Sequence, residues 1–140
     1  MAALAFIKQA EALRTELHYR LGTVTDQDVT ERINHAKQIY TKAAEKSSSS
    51  PSLTAAAKFG LGLCEEELGN FKKAEQIYHG ITTKPDFKGT VASVQAKRRL
   101  ETIDEYKQKI VFKSASEPTS TELIQPEIQL NPADIVSPNP

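Results

Sequence analysis

The 140-residue sequence has no tryptophan, one methionine and one cysteine. A lone thiol, Cys64, cannot close an internal disulfide, so the fold is not built on a disulfide framework. Cys64 lies in an apolar helical stretch and reads as a small buried residue rather than a nucleophile. No apolar run approaches the roughly 20 residues that a helix needs to cross a bilayer. The short apolar stretch Ala2 to Ile7 has neither a basic leader nor a cleavage site, which excludes a signal peptide there. A membrane association is therefore expected only through an anchor outside this chain.

Constellations that carry chemistry are missing too. His18, His35 and His79 fall on three separate helical stretches, and no two have the i, i+4 spacing of a helical metal pair. Gly60-Leu61-Gly62 lacks the third glycine and the preceding strand of a dinucleotide fingerprint. There is no P-loop, no Gly-x-Ser-x-Gly elbow and no pairing of a nucleophile with a base. The expectation is a non-enzymatic protein without cofactor, metal or catalytic residues.

Charge of either sign is not in excess, because 18 basic residues balance 18 acidic ones. That excludes a global bias toward nucleic acid or an anionic membrane surface. The distribution is uneven. All 18 basic residues lie in 1–113 against 14 acidic ones, a balance of +4, and 114–140 carries Glu117, Glu122, Glu127 and Asp134 with no base. Five of the seven prolines also lie in 118–140, among Ser and Thr, and no helical or strand period survives there. The sequence predicts a helical domain over 1–113 and a disordered acidic Pro/Ser/Thr-rich tail over 114–140. Leu123-Ile124 and Ile128-Gln129-Leu130 are short apolar islands in that tail, read as spacer rather than docking motifs.

What the chain does contain is helical periodicity. Ala3, Phe6, Ala10, Leu13 and Leu17 recur at three and four residues, predicting a helix over 2–21 that stops at Gly22. Thr25 and Asp28 have capping-box spacing, with Asp in place of Glu. Val29, Ile33, Ala36, Tyr40 and Ala43 continue a second helix over 26–46. Ser47 to Ser50 reads as a flexible polar linker. Ser50-Pro51 then offers an N-cap and a proline at the first helical position for a helix over 52–68. Gly69-Asn70 marks a turn, and a helix over 71–83 ends at Lys84-Pro85. Thr90 caps a last helix, striped by Ala92, Ala96, Leu100, Ile103 and Ile110, to about Phe112.

Residues 55–88 carry a recognisable pattern: Leu61 and Gly62 in one helix, Gly69 at the turn, then Phe71, Ala74 and Tyr78 in the next. This resembles one tetratricopeptide repeat, two antiparallel helices in about 34 residues, of the kind found in bacterial scaffold proteins. Ala36, Ile39, Tyr40 and Ala43 echo Ala74, Ile77, Tyr78 and Ile81 at a spacing of 38 residues, so 2–46 reads as an earlier repeat with nine extra residues, in a longer loop or a longer helix. The sequence departs from the family pattern at Lys58, where a large aromatic is usual, and at Glu65, where Tyr is frequent. The resemblance implies an all-α array of about two and a half antiparallel hairpin repeats, a short α-solenoid. It places Gly62 opposite Ala74 where two helices cross, and Glu75 in solvent.

The resemblance also implies a function. In the family the first helix of each repeat lines a concave groove, and the matching positions here are Phe59, Leu63 and Glu66. Phe59 and Leu63 stand where the carboxylate-clamping branch has Lys and Asn, which disfavours that clamp. The expectation is a protein–protein interaction module that holds an apolar or amphipathic peptide of a partner in the groove. Self-association into a homo-oligomer is the alternative. Lys97-Arg98-Arg99 leaves nucleic acid a minor option, because Lys97 with Glu101 and Glu105 with Lys109 have i, i+4 spacing and no stacking aromatics accompany them. Glu65-Glu66-Glu67 reads as a solvated edge, or as a docking surface for a basic partner. The compartment stays open between cytoplasm and bacterial periplasm or envelope.

Overall fold

A computed structural model describes residues 2–19 and 25–107. These residues belong to the first of two units into which the chain divides, Met1–Lys109 and Ile110–Pro140. The expected stop at Gly22, the end of the last helix and the tail lie outside the described residues. Within them the protein is all-α: α1 (Ala2–Tyr19), α2 (Asp26–Lys46), α3 (Pro51–Glu67), α4 (Phe71–Thr83) and α5 (Val91–Lys107), with a single 3-10 turn at Pro85–Phe87.

Local chemistry sets the element ends. Thr25 and Asp28 form the reciprocal capping box, the Asp28 N–H donating to Thr25 Oγ1 at 3.2 Å and the Thr25 N–H to Asp28 Oδ2 at 3.0 Å. Those bonds hold the Asp28 carboxyl below its usual range. At the end of α3 the Gly69 N–H donates to Glu66 O and the Asn70 N–H to Glu65 O, each at 2.8 Å. This is a Schellman turn, and it requires the left-handed φ of +75° at Gly69. The Ser93 N–H donates to Thr90 Oγ1 at 3.2 Å, so Thr90 caps α5.

Ser47 to Ser50 is a tight turn rather than a flexible linker. Ser47 is buried, the Ser50 N–H donates to its carbonyl at 2.7 Å, and Thr54 Oγ1 donates to the same oxygen at 2.7 Å. Ser50 has extended backbone at the cap position, but its side chain makes no capping bond. Thr54 supplies the local side-chain bonding instead, from inside the first turn.

Each helix packs on the next, and α3 also touches α1 and α5. Helices that pack along their lengths and are joined by a few residues must reverse direction at each turn, so α3 and α4 form an antiparallel hairpin. The helix α3 separates two buried clusters. One joins Ile7 and Ala10 of α1 and Ile33, Ala36, Tyr40 and Ala43 of α2 to Ala57 and Cys64; the other joins Ala55 to Ala74, Tyr78, Ile81, Phe87, Ala96 and Ile103. The extra residues of the first half are mostly helix, since α2 starts fourteen residues before Tyr40, whereas α4 starts seven before Tyr78.

The close approach to α3 differs from the expectation. A Cβ on Gly62 would land on the Tyr78 ring, not on Ala74, and a Cβ on Gly60 would land on the Tyr40 ring. Ala74 is fully buried one turn away in the same cluster. A small residue is needed on α3 to admit a flat ring, rather than to meet a second small residue.

Candidate interaction surface

The acidic run at the end of α3 is not a solvated edge. Glu65 is 2% exposed and Glu66 8%, so neither carboxylate is available to a basic partner. Carboxylates at a helix C-terminus oppose the helix dipole, and burial adds a desolvation cost that only close cations and donors offset. Four other helices supply them. Lys37 of α2 and Lys73 of α4 each reach Glu65 Oε1 at 2.9 Å, while Asn70 Nδ2 donates to Oε2 at 2.9 Å. Burial by itself would raise the Glu65 pKa; the three donors outweigh it and bring the carboxyl down to about 2.

Glu66 accepts from Tyr78 of α4 at 2.5 Å and from Arg99 of α5, whose Nε lies 2.9 Å from Oε1 and Nη2 2.7 Å from Oε2. Burial, then the bond to Glu66, push the Tyr78 phenol well above its usual range. Glu67 is held by Arg14 of α1, whose Nε lies 3.1 Å from both carboxylate oxygens. Burial pushes the Tyr40 phenol up to about 12, against the opposing pull of the Arg14 charge. The three consecutive glutamates thus tie α3 to all four neighbouring helices.

Of the three groove residues expected from the sequence, Glu66 is buried and bonded to Tyr78 and Arg99. Phe59 and Leu63 are half-buried. Phe59 packs on the second cluster, with its ring centroid 5.5 Å from that of Tyr78, so it is partly core. Leu63 packs on neither cluster. Instead it lines a cleft of about 200 Å³ with Glu66, Glu67, Phe71 and Arg99. An adjoining cleft of about 340 Å³ lies between Phe59 and the α5 residues Gln95, Arg98, Arg99 and Thr102. Arg99 is the wall shared by the two.

The basic run resolves into separate roles. Arg99 turns inward to Glu66, whereas Lys97 and Arg98 stay exposed. Lys97 makes no ion pair with Glu101 among the described residues. Glu75, expected in solvent, is ion-paired to Lys107 at 2.5 Å. His35 and His79 are exposed, and among the described residues no cluster of His, Cys, Asp or Glu could hold a metal. No described helix is long and apolar enough to cross a membrane. Sequence reasoning missed Gln95, Arg98 and Thr102 as cleft residues, although their spacing of three and four puts them on one face of α5. The signal was present, but only packing shows which face of α5 meets α3. No protein-family model matches this sequence, and no curated protein or solved structure matches it either.

Proposed function

We propose that the chain is a tetratricopeptide-like interaction module that holds a peptide segment of a partner protein along the face shared by α3 and α5. The observation that carries this reading is the pair Phe59 and Leu63. They lie four apart on α3, are half-buried, and face two adjoining clefts against α5. Leu63 is an apolar side chain that the two cores do not use, and an apolar group left at a cleft favours a partner that covers it. The support for a repeat array is the recurrence of Tyr40 and Tyr78, each fitted to a glycine of α3. A photo-reactive phenylalanine analogue at Leu63 should yield a discrete adduct with another protein in the native cells, and the same analogue at the exposed Gln76 should not. Identical adduct patterns at both positions would remove the groove reading.

Self-association is the second reading. Val91 and Val94 of α5 are 73% and 60% exposed, and a second copy would be one way to cover them. Sedimentation equilibrium separates the two readings: a concentration-dependent dimer that Val94→Ser abolishes would favour it.

A further inference from the structure

Within that groove reading, we infer that the partner segment is an acidic amphipathic helix, with side-chain carboxylates seated at Arg98. The lining of the larger cleft, Phe59, Gln95, Arg98, Arg99 and Thr102, contains two guanidinium groups and no carboxylate. They are not equivalent. The Arg99 charge faces Glu66 at 2.7 Å. The Arg98 guanidinium is exposed and has no ion-pair partner among the described residues. Thr102 bonds only to carbonyl oxygens, of Arg98 and Arg99. The cleft therefore offers one uncommitted positive charge beside an aromatic ring. Val91 and Val94, seven and four residues before Arg98, extend that side of α5 as an exposed apolar stripe.

Backbone chemistry selects the form of the occupant. Both walls are helices, whose amide and carbonyl groups are bonded within each helix, so there is no sheet edge to which an extended strand could add. A segment that satisfies its own backbone is required, and a helix does so. Its apolar stripe would meet Leu63, Phe59 and Val94, and carboxylates flanking the stripe would meet Arg98. A single-stranded nucleic acid is a poorer match, because it calls for several open cations and stacking rings. Here Arg99 is engaged and the Phe59 ring packs, tilted, against Tyr78.

The test uses the full chain and three synthetic helical peptides of equal length, blocked at both ends to remove terminal charges. All share one leucine stripe, flanked by Glu, by Gln or by Lys. Fluorescence anisotropy should show the Glu peptide binding about tenfold more tightly than the Gln peptide at low salt, with the difference shrinking as salt rises. Arg98→Gln should erase the preference for Glu over Gln, and Arg98→Glu should reverse it in favour of the Lys peptide. Leu63→Ser should weaken all three. Arg98 is exposed, so unchanged thermal unfolding of its variants would show that folding is not the cause. Equal binding of the Glu and Gln peptides, with loss of both in Leu63→Ser, would overturn the acidic partner and leave the groove reading standing. No binding of any peptide, or equal binding by the Leu63→Ser variant, would overturn both. Tighter binding of a single-stranded RNA than of the Glu peptide, lost in Arg98→Gln, or a dimer abolished by Leu63→Ser, would also overturn the inference.

Discussion

Tyr40 and Tyr78 lie against opposite sides of the same helix. Tyr40 covers Gly60 and Tyr78 covers Gly62, and two residues along an α-helix turn the side-chain direction by about 200°. The helix α3 is thus held between two rings, one from α2 and one from α4. Both tyrosines are fully buried, and the Tyr78 hydroxyl is tethered to Glu66, so neither ring has room to swing away.

Alanine at either glycine should therefore be unfavourable despite its better helix propensity. Gly60→Ala and Gly62→Ala should each cost about 1–3 kcal/mol through overpacking. Gly80 is also helical, but a methyl group added there would meet nothing within 4 Å. Gly80→Ala should instead stabilise by roughly 0.5–1 kcal/mol. Urea unfolding of the three variants reads the contrast, and a shift of the same sign at all three would mean that the tyrosines do not pack on α3 in this way.

Acid should loosen the contacts around Glu65. Its folded pKa is about 2, against an ordinary 4.5. The folded state thus favours the ionised form, and the contribution is complete above about pH 4.5 and fades as pH falls toward 2. The size is on the order of 3 kcal/mol. Chemical denaturation between pH 2 and 6 should show a steep loss of stability for the wild type and a shallower one for Glu65→Gln. Parallel curves would place the acid-sensitive group elsewhere.

Burial should separate the two kinds of ion pair. Arg99→Met removes the cation from a carboxylate that is nearly enclosed, and leaving such a charge unpaired costs about 3–5 kcal/mol. Lys107→Met removes the rim pair with Glu75, which water and salt screen, so its loss should be far smaller. Melting temperatures should fall well apart. Equal small losses would show that Glu66 is solvated in solution.

Cys64 should report global unfolding. Burial pushes its thiol up to about 12, and it is fully enclosed in the first cluster. A thiol in that state is a poor nucleophile at neutral pH. An aromatic disulfide reagent should therefore modify it only as fast as the protein unfolds, and urea should accelerate the reaction in step with loss of helicity. Prompt reaction in native buffer would mean that α3 is loosely held.

Phe59 and Leu63 illustrate how far the site is legible from residues alone. Their spacing puts them on one side of α3, and the family resemblance points that side at a groove. The structure divides their duties, because Tyr78 recruits Phe59 into the second cluster while Leu63 is left to the cleft. Truncating Phe59 to Ala should accordingly cost about 2 kcal/mol, less than for a fully buried ring, whereas Leu63→Ser should scarcely move the melting temperature. A binding experiment that relied on Phe59 would confuse the two effects.

Local sequence alone specifies the helices and most of their ends. Stripes at three and four residues, the Thr25–Asp28 box, Gly69, Pro85 and Thr90 act within a turn or two of chain, so they need no neighbour to be legible. The same locality misleads at Glu65-Glu66-Glu67 and at Ser47 to Ser50. Three adjacent carboxylates or a serine run look solvated unless their partners are known. Those partners, Lys37, Arg14, Arg99, Tyr78 and Thr54, come from other elements or from the next helix. Tertiary packing alone assigns them, because burying a charge or a hydroxyl is tolerable solely where the complementary group comes within bonding distance. The clefts have the same origin: which face of α5 meets α3 follows from the packing of both cores, and no short stretch of sequence encodes it.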